Sequence, residues 1–195
     1  MEVILNNMPG DTIYSATTGR ATRELFFLRE KRSETKAHDF LNVGSMGHAS
    51  SVALGIALEK PERKVVALDG DSACMMHMGA MTMVSKLDVP NFMHVVLNNG
   101  SHESVGGQPS AGHKVDFTKI AEACDYATVG HPVTTEVELM EALEVLRNCG
   151  KASFIDCRIH KGLSRKLPPV IFEHREVIDA LIDNLNESRI TMDKK

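Results

Sequence analysis

Polar residues that suit a metal ion and a phosphate follow two apolar runs of this chain. Asp71 comes directly after VVALDG, and Asn98 and Asn99 end a second run, MHVVLNN. A carboxylate there can ligate a hard cation, and N–H groups that open a following helix, such as those of Ser72 and Ala73, can hold phosphate oxygens. One carboxylate, one amide oxygen and one backbone carbonyl would leave Mg²⁺ room for two phosphate oxygens and a water. The ligand types therefore favour a magnesium–diphosphate site, although an Asp after a strand can also serve only as a cap or turn residue.

Short apolar runs alternate with helix-like segments along the chain. The predicted strands are residues 12–16, 40–43, 65–68, 93–97, 127–129 and 153–159, and the predicted helices are residues 22–30, 49–59, 79–86, 117–124, 136–148 and 173–186. Because parallel neighbours need a crossover, this alternation predicts an α/β fold: a doubly wound parallel sheet with helices on both faces, in one domain over residues 1–195. In such sheets ligands bind beyond the carboxyl ends of the strands. The loops TTGR, GSMGH, DGDSA and NNGSHESVGG would therefore meet at one edge.

The composition excludes several classes of function. The formal net charge is −4 and the basic residues are scattered, so we expect neither a nucleic acid nor a membrane partner. The four cysteines form no CxxC motif, and the N-terminal residues MEVILNNMPGDT do not resemble a signal peptide. We expect a cytoplasmic protein.

The motifs resemble the cofactor signature of thiamine-diphosphate-dependent enzymes. GDS at residues 70–72 is followed, after a helix and a strand, by LNN at residues 97–99. The resemblance implies a Mg²⁺ held by Asp71, Asn99 and the backbone carbonyl of Ser101. TTG at residues 17–19 and GSMG at residues 44–47 are similar to two further cofactor loops of the family. The cofactor-binding residues implied by the resemblance are Thr18, Gly19, Gly44, Ser45, Met46, Gly70, Ser72 and Ala73.

The GSMG loop has the most specific implied roles. By resemblance, the carbonyl of Gly44 would accept a hydrogen bond from the amino group of the cofactor's aminopyrimidine ring. Met46 would be an apolar wedge that bends the cofactor, although a methionine can equally fill a core.

Longer strings narrow the resemblance to decarboxylases. VGSMGHASSVALGIAL, DGDSACMMHMGAM and NNGSHESVGGQPS together resemble the C-terminal half of the phosphonopyruvate decarboxylase family, with sulfopyruvate decarboxylases as the nearest alternative. The implied substrate is a small anionic 2-oxo acid, and the thiazolium ring of the cofactor would be the electron sink that its decarboxylation requires. In this family a glutamate on a separate pyrimidine-binding domain activates the cofactor, and no segment here resembles that domain. A partner domain or subunit, in a homo- or hetero-oligomer, is therefore expected.

Two residues of the fourth loop are catalytic candidates. His102 and Glu103 follow Asn99 closely enough to face the reacting carbon and transfer protons, although a loop histidine can also be satisfied by backbone groups. The residues that could bind the substrate's anionic tail remain open: Arg20, Arg23, His102, His113 and Lys114.

Two other functions stay as alternatives. A nicotinamide-dependent oxidoreductase is disfavoured because the chain lacks GxGxxG and a suitably placed ribose-binding acid. A non-catalytic thiamine-diphosphate-binding subunit is favoured by the missing pyrimidine half and by Ser72, which stands where the signature usually has glycine. His77 is expected to be packed or solvent-facing rather than a metal ligand, and the methionines around it are expected to fill the core rather than bind a soft metal.

Overall fold

The computed structural model describes residues 1–162, 167 and 172–192, and the side chains of these residues as far as residue 187. The strands are β1 (Ile13–Ala16), β2 (Asp39–Leu41), β3 (Val65–Gly70), β4 (Phe92–Asn98), β5 (Ser101–His102), β6 (Gln108–Pro109) and β7 (Ser153–Arg158). The α-helices are α1 (Glu2–Asn7), α2 (Arg20–Arg32), α3 (Ala49–Glu59), α4 (Asp71–Met76), α5 (Phe117–Ala123), α6 (Glu136–Leu146) and α7 (His174–Met192). Two 3₁₀ helices span Met78–Lys86 and Glu103–Val105.

Five strands form one parallel sheet in the order β2-β1-β3-β4-β7. The chain runs from β1 outward to β2 and then returns to the other side of β1 to form β3. The sheet's topological switch point therefore lies between β1 and β3, which is where open α/β sheets bind ligands. The predicted doubly wound α/β fold is confirmed.

The sheet buries a separate apolar core on each face. Along β3, Val66 and Leu68 join a core with α1, α2 and α6, while Val65 and Ala67 join a second core with α3, α5 and the first 3₁₀ helix. This alternation follows from the period of two in a strand, and it explains why the central strands are apolar throughout. Within the described residues, no helix is both long and apolar enough to cross a bilayer.

Several segments differ from the sequence-based predictions. Residues 127–129 were expected to be a strand, but Ala127 forms only an isolated bridge to Ser153, because Gly130 turns the chain with φ = 80°. Residues 78–86 are a 3₁₀ helix rather than an α-helix, and the short α1 was not predicted at all. The prediction of a single domain over residues 1–195 extends beyond the described residues.

Candidate functional site

A cleft of about 370 Å³ lies at the switch point of the sheet. The loops after all five strands of the sheet contribute to its walls, the loop after β2 through Met46 only. Its volume is that of a small-molecule pocket. Eleven of the thirteen predicted site residues line it: Thr18, Gly19, Met46, Gly70, Asp71, Ser72, Ala73, Asn99, Ser101, His102 and Glu103. Gly44 and Ser45 lie outside the lining.

The carboxylate of Asp71 is buried in the cleft and is held by the loop that follows β6. Asp71 is the first residue of α4 and is 2% exposed. Its Oδ2 accepts a short hydrogen bond from the hydroxyl of Ser110, which in turn accepts from the N–H of Gly112 at 3.1 Å. The chain at residues 110–112 therefore closes over Asp71 from the side of β4.

Gly112 touches both Asp71 and the last residue of β4. Its carbonyl accepts from Nδ2 of Asn98 at 2.9 Å, and a Cβ on Gly112 would lie 2.6 Å from Oδ1 of Asn98 and against Oδ2 of Asp71. Within the described structure this Oδ1 is buried and has no hydrogen-bond partner. Oδ2 of Asp71 and the unpaired Oδ1 of Asn98 thus both lie beside Gly112. Oxygens of these types suit a hard cation.

The first residues after β4 present the other predicted metal ligands. Oδ1 of Asn99 accepts from the N–H of Ser101 at 3.0 Å, which fixes the side chain over its own loop. Ser101 is buried and pairs in an antiparallel ladder with Pro109, which has no N–H to donate to the Ser101 carbonyl. The amide oxygen and the backbone carbonyl therefore come from one short, well-fixed segment.

Glu103 lies in the cleft wall and is held by donors from three loops. Its Oε2 accepts from Nη1 of Arg20 at 2.8 Å and from Nδ2 of Asn99 at 2.7 Å, and its Oε1 accepts a short hydrogen bond from the N–H of Gly162. The neighbouring His102 places Nε2 3.5 Å from Oγ of Ser72. Both catalytic candidates thus lie beside the predicted cofactor-binding residues.

The first two loops meet at the rim. The hydroxyl of Thr18 accepts from the N–H of Gly44 at 3.0 Å, so Gly44 adjoins the cleft although it does not line it. Gly19 and Gly44 have φ values of 102° and 90°, a region that residues with a side chain rarely adopt. Ser45 is exposed and has φ = 44°. The next residue, Met46, lines the cleft.

The charges lining the cleft are mostly negative. Glu24, Asp69, Asp71 and Glu103 line it, and among the described lining residues Arg20 is the only one with a permanent positive charge. Asp69 is fully buried and binds Nε2 of His94 at 3.1 Å beneath the cleft. A diphosphate on its own would meet like charges here, so the lining favours an anion that enters together with a metal cation.

Burial changes the pKa values of several groups near the cleft. Burial raises the pKa of Asp156, against the opposing hydrogen bond that Asn98 donates to it at 3.1 Å. Burial likewise raises the pKa of Cys157 to about 11 and raises that of Cys74, so both thiols stay protonated near neutral pH.

Several residues of the site were not predicted from the sequence. Ser110, Gly112 and Gly162 contact Asp71 or Glu103 across long chain separations. The polar, glycine-bearing string QPSAGH directly after the fourth loop was the available signal for Ser110 and Gly112.

Other candidates lie away from the cleft lining. His113 is exposed, and its ring packs over Gly100, while Lys114 is also exposed. His77 is exposed, and its ring lies against that of His48, with 4.1 Å between the ring centroids and an interplanar angle of 52°. The described residues contain no cluster of three or more His, Cys, Asp or Glu side chains suited to a metal.

The sequence matches a family model described as the thiamine pyrophosphate enzyme C-terminal TPP binding domain, over residues 17–157. The chain belongs to this family. The matched segment begins at the loop after β1 and ends within β7, so it includes four of the five sheet strands, the last of them without its final residue. It also includes every loop that lines the cleft except the loop after β7.

Two of the relatives that the chain matches are named as decarboxylases. The chain is 38% identical over 143 residues to a phosphonopyruvate decarboxylase of Streptomyces viridochromogenes, which covers 73% of this chain and 34% of that protein. It is 27% identical over 179 residues to the sulfopyruvate decarboxylase subunit beta of Methanocaldococcus jannaschii, covering 88% of this chain and 90% of that subunit. The chain thus spans about a third of the first relative and most of the second.

A solved structure has the same fold. The thiamine diphosphate-dependent 4-hydroxybenzoylformate decarboxylase of Rhodococcus jostii RHA1 matches with a TM-score of 0.63 and 19% identity, over 81% of this chain and 31% of that one. At this identity the likeness shows the fold alone.

Proposed function

We propose that this chain is the cofactor-binding half of a thiamine-diphosphate- and Mg²⁺-dependent decarboxylase that converts phosphonopyruvate to phosphonoacetaldehyde and CO₂. The observation that carries the proposal is the convergence of Asp71, Asn99 and Ser101 on one cleft at the switch point of the sheet. Family membership supports thiamine diphosphate as the cofactor, and 38% identity to a phosphonopyruvate decarboxylase supports the substrate.

The donor set of the cleft fits the proposed metal and cofactor. Asp71, Asn99 and the carbonyl of Ser101 supply hard oxygens, which Mg²⁺ prefers, and they leave coordination positions for phosphate oxygens. The N–H groups that open α4, at Ser72 and Ala73, would hold the diphosphate beside the metal. The other proposed cofactor contacts are those of Thr18, Gly19, Gly44, Ser45, Met46 and Gly70.

The chain's own residues would bind, orient and move protons around the cofactor. When bound, thiamine diphosphate supplies the electron sink that decarboxylation of a 2-oxo acid needs. Met46 would pack against it as an apolar wedge, and the carbonyl of Gly44 would orient its amino group. His102, which is partly exposed in the cleft wall, is proposed to transfer a proton, and Glu103 is the second candidate for that role.

A second polypeptide or domain would complete the active site. Coverage of 34% of a phosphonopyruvate decarboxylase leaves room there for a pyrimidine-binding domain, and coverage of 90% of a subunit named beta supports a separate partner chain. The enzyme would accordingly be a homo- or hetero-oligomer. The pyrimidine-binding partner would supply the glutamate that activates the cofactor.

Sulfopyruvate decarboxylation is the second candidate function, because the chain matches a sulfopyruvate decarboxylase beta subunit over almost its full length. Both substrates are small 2-oxo acids with a tetrahedral anionic tail, so the same cleft chemistry serves either. A non-catalytic cofactor-binding subunit is the remaining alternative.

A turnover assay separates these functions. The chain is mixed with thiamine diphosphate, Mg²⁺ and its pyrimidine-binding partner, and CO₂ release is measured with phosphonopyruvate and with sulfopyruvate. Preference for phosphonopyruvate supports the proposal, and preference for sulfopyruvate supports the second function. Cofactor binding without turnover of either would assign a non-catalytic subunit. Asp71→Asn should abolish turnover, while Asp88→Asn, at an exposed position, serves as the matched control.

A further inference from the structure

The carboxylate of Glu103 occupies a site built from three nitrogen donors. Arg20 reaches it from the first turn of α2, Asn99 from the end of β4, and the N–H of Gly162 from the loop after β7. Arg20 and Gly162 lie 83 and 59 residues from Glu103 in the sequence. Only the fold brings these two donors to Glu103.

The three donors suit an oxyanion in general rather than a carboxylate in particular. All are N–H groups, one carries a permanent charge, and charged hydrogen bonds to oxyanions are the stronger class. The Glu103 side chain is only 12% exposed, whereas that of Arg20 is 34% exposed, so the cationic member of the site remains open to the cleft.

The bond between Arg20 and Glu103 is also one that a ligand can replace. A partly exposed ion pair contributes little net stability, because water and ions compete with it. Glu103 itself lines the cleft, so its side chain has open space beside it into which it can rotate.

We propose that Arg20, Nδ2 of Asn99 and the N–H of Gly162 form an oxyanion-binding site that Glu103 fills when the cleft is empty. The ligand that displaces Glu103 is a tetrahedral phosphorus or sulfur oxyanion, and this inference rests on the proposed function for the identity of that anion. Its two sources are the phosphonate or sulfonate tail of the substrate and the diphosphate of the cofactor.

The position of Asn99 favours the substrate tail. Its Oδ1 is the proposed metal ligand and already accepts from Ser101, while its Nδ2, on the other branch of the amide, faces Glu103. The other cationic candidates are less suitable: Arg23 lines a separate cavity with Phe172, and His113 and Lys114 are exposed outside the lining of the cleft.

Calorimetric titrations of the chain with three probes test the site: methylphosphonate, methanesulfonate, and pyrophosphate with Mg²⁺. Arg20→Gln should weaken binding of the affected probe by about tenfold or more, because a charged hydrogen bond is lost. Glu103→Gln should strengthen binding by several-fold, since it removes the competing charge. Arg32→Gln, near the far end of the same helix and also in partly exposed ion pairs, should leave binding unchanged.

The probes separate the two sources of the anion. Loss of methylphosphonate and methanesulfonate binding in Arg20→Gln assigns the site to the substrate tail, and loss of pyrophosphate binding assigns it to the cofactor. Either result supports an oxyanion site. Unchanged binding of all probes in Arg20→Gln, no binding of any probe even in Glu103→Gln, or weaker binding in Glu103→Gln would overturn the inference.

Titration with thiamine diphosphate and Mg²⁺ keeps this inference separate from the proposed function. If the cofactor binds but no probe responds to the Arg20 substitution, only the oxyanion site fails. If methylphosphonate binding depends on Arg20 but the cofactor does not bind, only the proposed function fails.

Discussion

Replacing Gly112 by alanine would test how the loop at residues 110–112 positions the predicted metal carboxylate. The new methyl group would lie 2.6 Å from Oδ1 of Asn98 and 2.8 Å from Cβ of Asp71, and closest to Oδ2 of Asp71. Real Cβ contacts essentially never fall below 3.0 Å. The distance between the new Cβ and Oδ1 of Asn98 must therefore increase by at least about 0.4 Å, and the Asp71 side chain must move as well. Both contacts involve buried atoms that have little room to move.

We expect two separable effects of Gly112→Ala. Overpacking should lower the free energy of unfolding by about 2 kcal/mol. Because Mg²⁺ requires near-ideal octahedral geometry, displacement of Asp71 should also weaken Mg²⁺-dependent binding of thiamine diphosphate by about 10- to 100-fold.

The assay combines urea denaturation with calorimetry at a temperature where the variant remains folded. Gly55→Ala is the matched control, because a Cβ there meets nothing within 4 Å on an exposed position of α3. It should leave binding unchanged and raise stability by up to about 1 kcal/mol. If Gly112→Ala bound the cofactor and metal as tightly as the unmodified chain, Gly112 would not determine the position of Asp71.

Three further substitutions test the scaffold by chemical denaturation. The carboxylate of Asp39 is fully buried and is bound at 2.9 Å by two nitrogens of Arg29. Arg29→Met leaves this carboxylate without its partner, so it should lower the free energy of unfolding by about 3 kcal/mol at pH 8. Burial raises the pKa of Asp39 to about 6 despite the opposing effect of Arg29. At pH 5 this carboxyl is therefore mostly protonated with or without Arg29, and Arg29→Met should cost less stability than at pH 8. An equal loss of stability at both pH values would contradict this. Asn91→Ala should cost about 2 kcal/mol, since the two N–H groups of the Asn91 amide are shared among three backbone carbonyls. A loss below 0.5 kcal/mol, roughly that of a surface change, would show that water replaces the amide. Thr135→Ala should cost about 1 kcal/mol by breaking the capping box with Glu138, and Thr82→Ala, at an exposed hydroxyl, is its control.

The parts of the fold that could be predicted are those whose signal is local. The apolar runs around Val66 and Val95 marked central strands because such strands are buried on both faces, and the polar residues after them marked the ligand-binding edge. The strand predicted at residues 127–129 was wrong because a short apolar run at the sheet edge cannot outweigh the turn at Gly130.

The contacts inside the cleft depend on the fold and could not be predicted. Nothing near Glu103 in the sequence indicates that Arg20 and Gly162 bind it, because chain separations of that size become contacts only after the strand order is set. The approach of Gly112 to Asp71 is likewise a property of the closed loop. Residue type located the site, and packing determined which atoms meet there.

The most direct measurement is a calorimetric titration of the chain with thiamine diphosphate, with and without Mg²⁺, and with NADH as the competing ligand. We expect thiamine diphosphate to bind only when Mg²⁺ is present, and Asp71→Ala to abolish that binding because the metal loses its only charged protein ligand. Binding of NADH in place of thiamine diphosphate, or affinity for the cofactor that is unchanged in Asp71→Ala, would contradict a magnesium–diphosphate site at the switch point of this sheet.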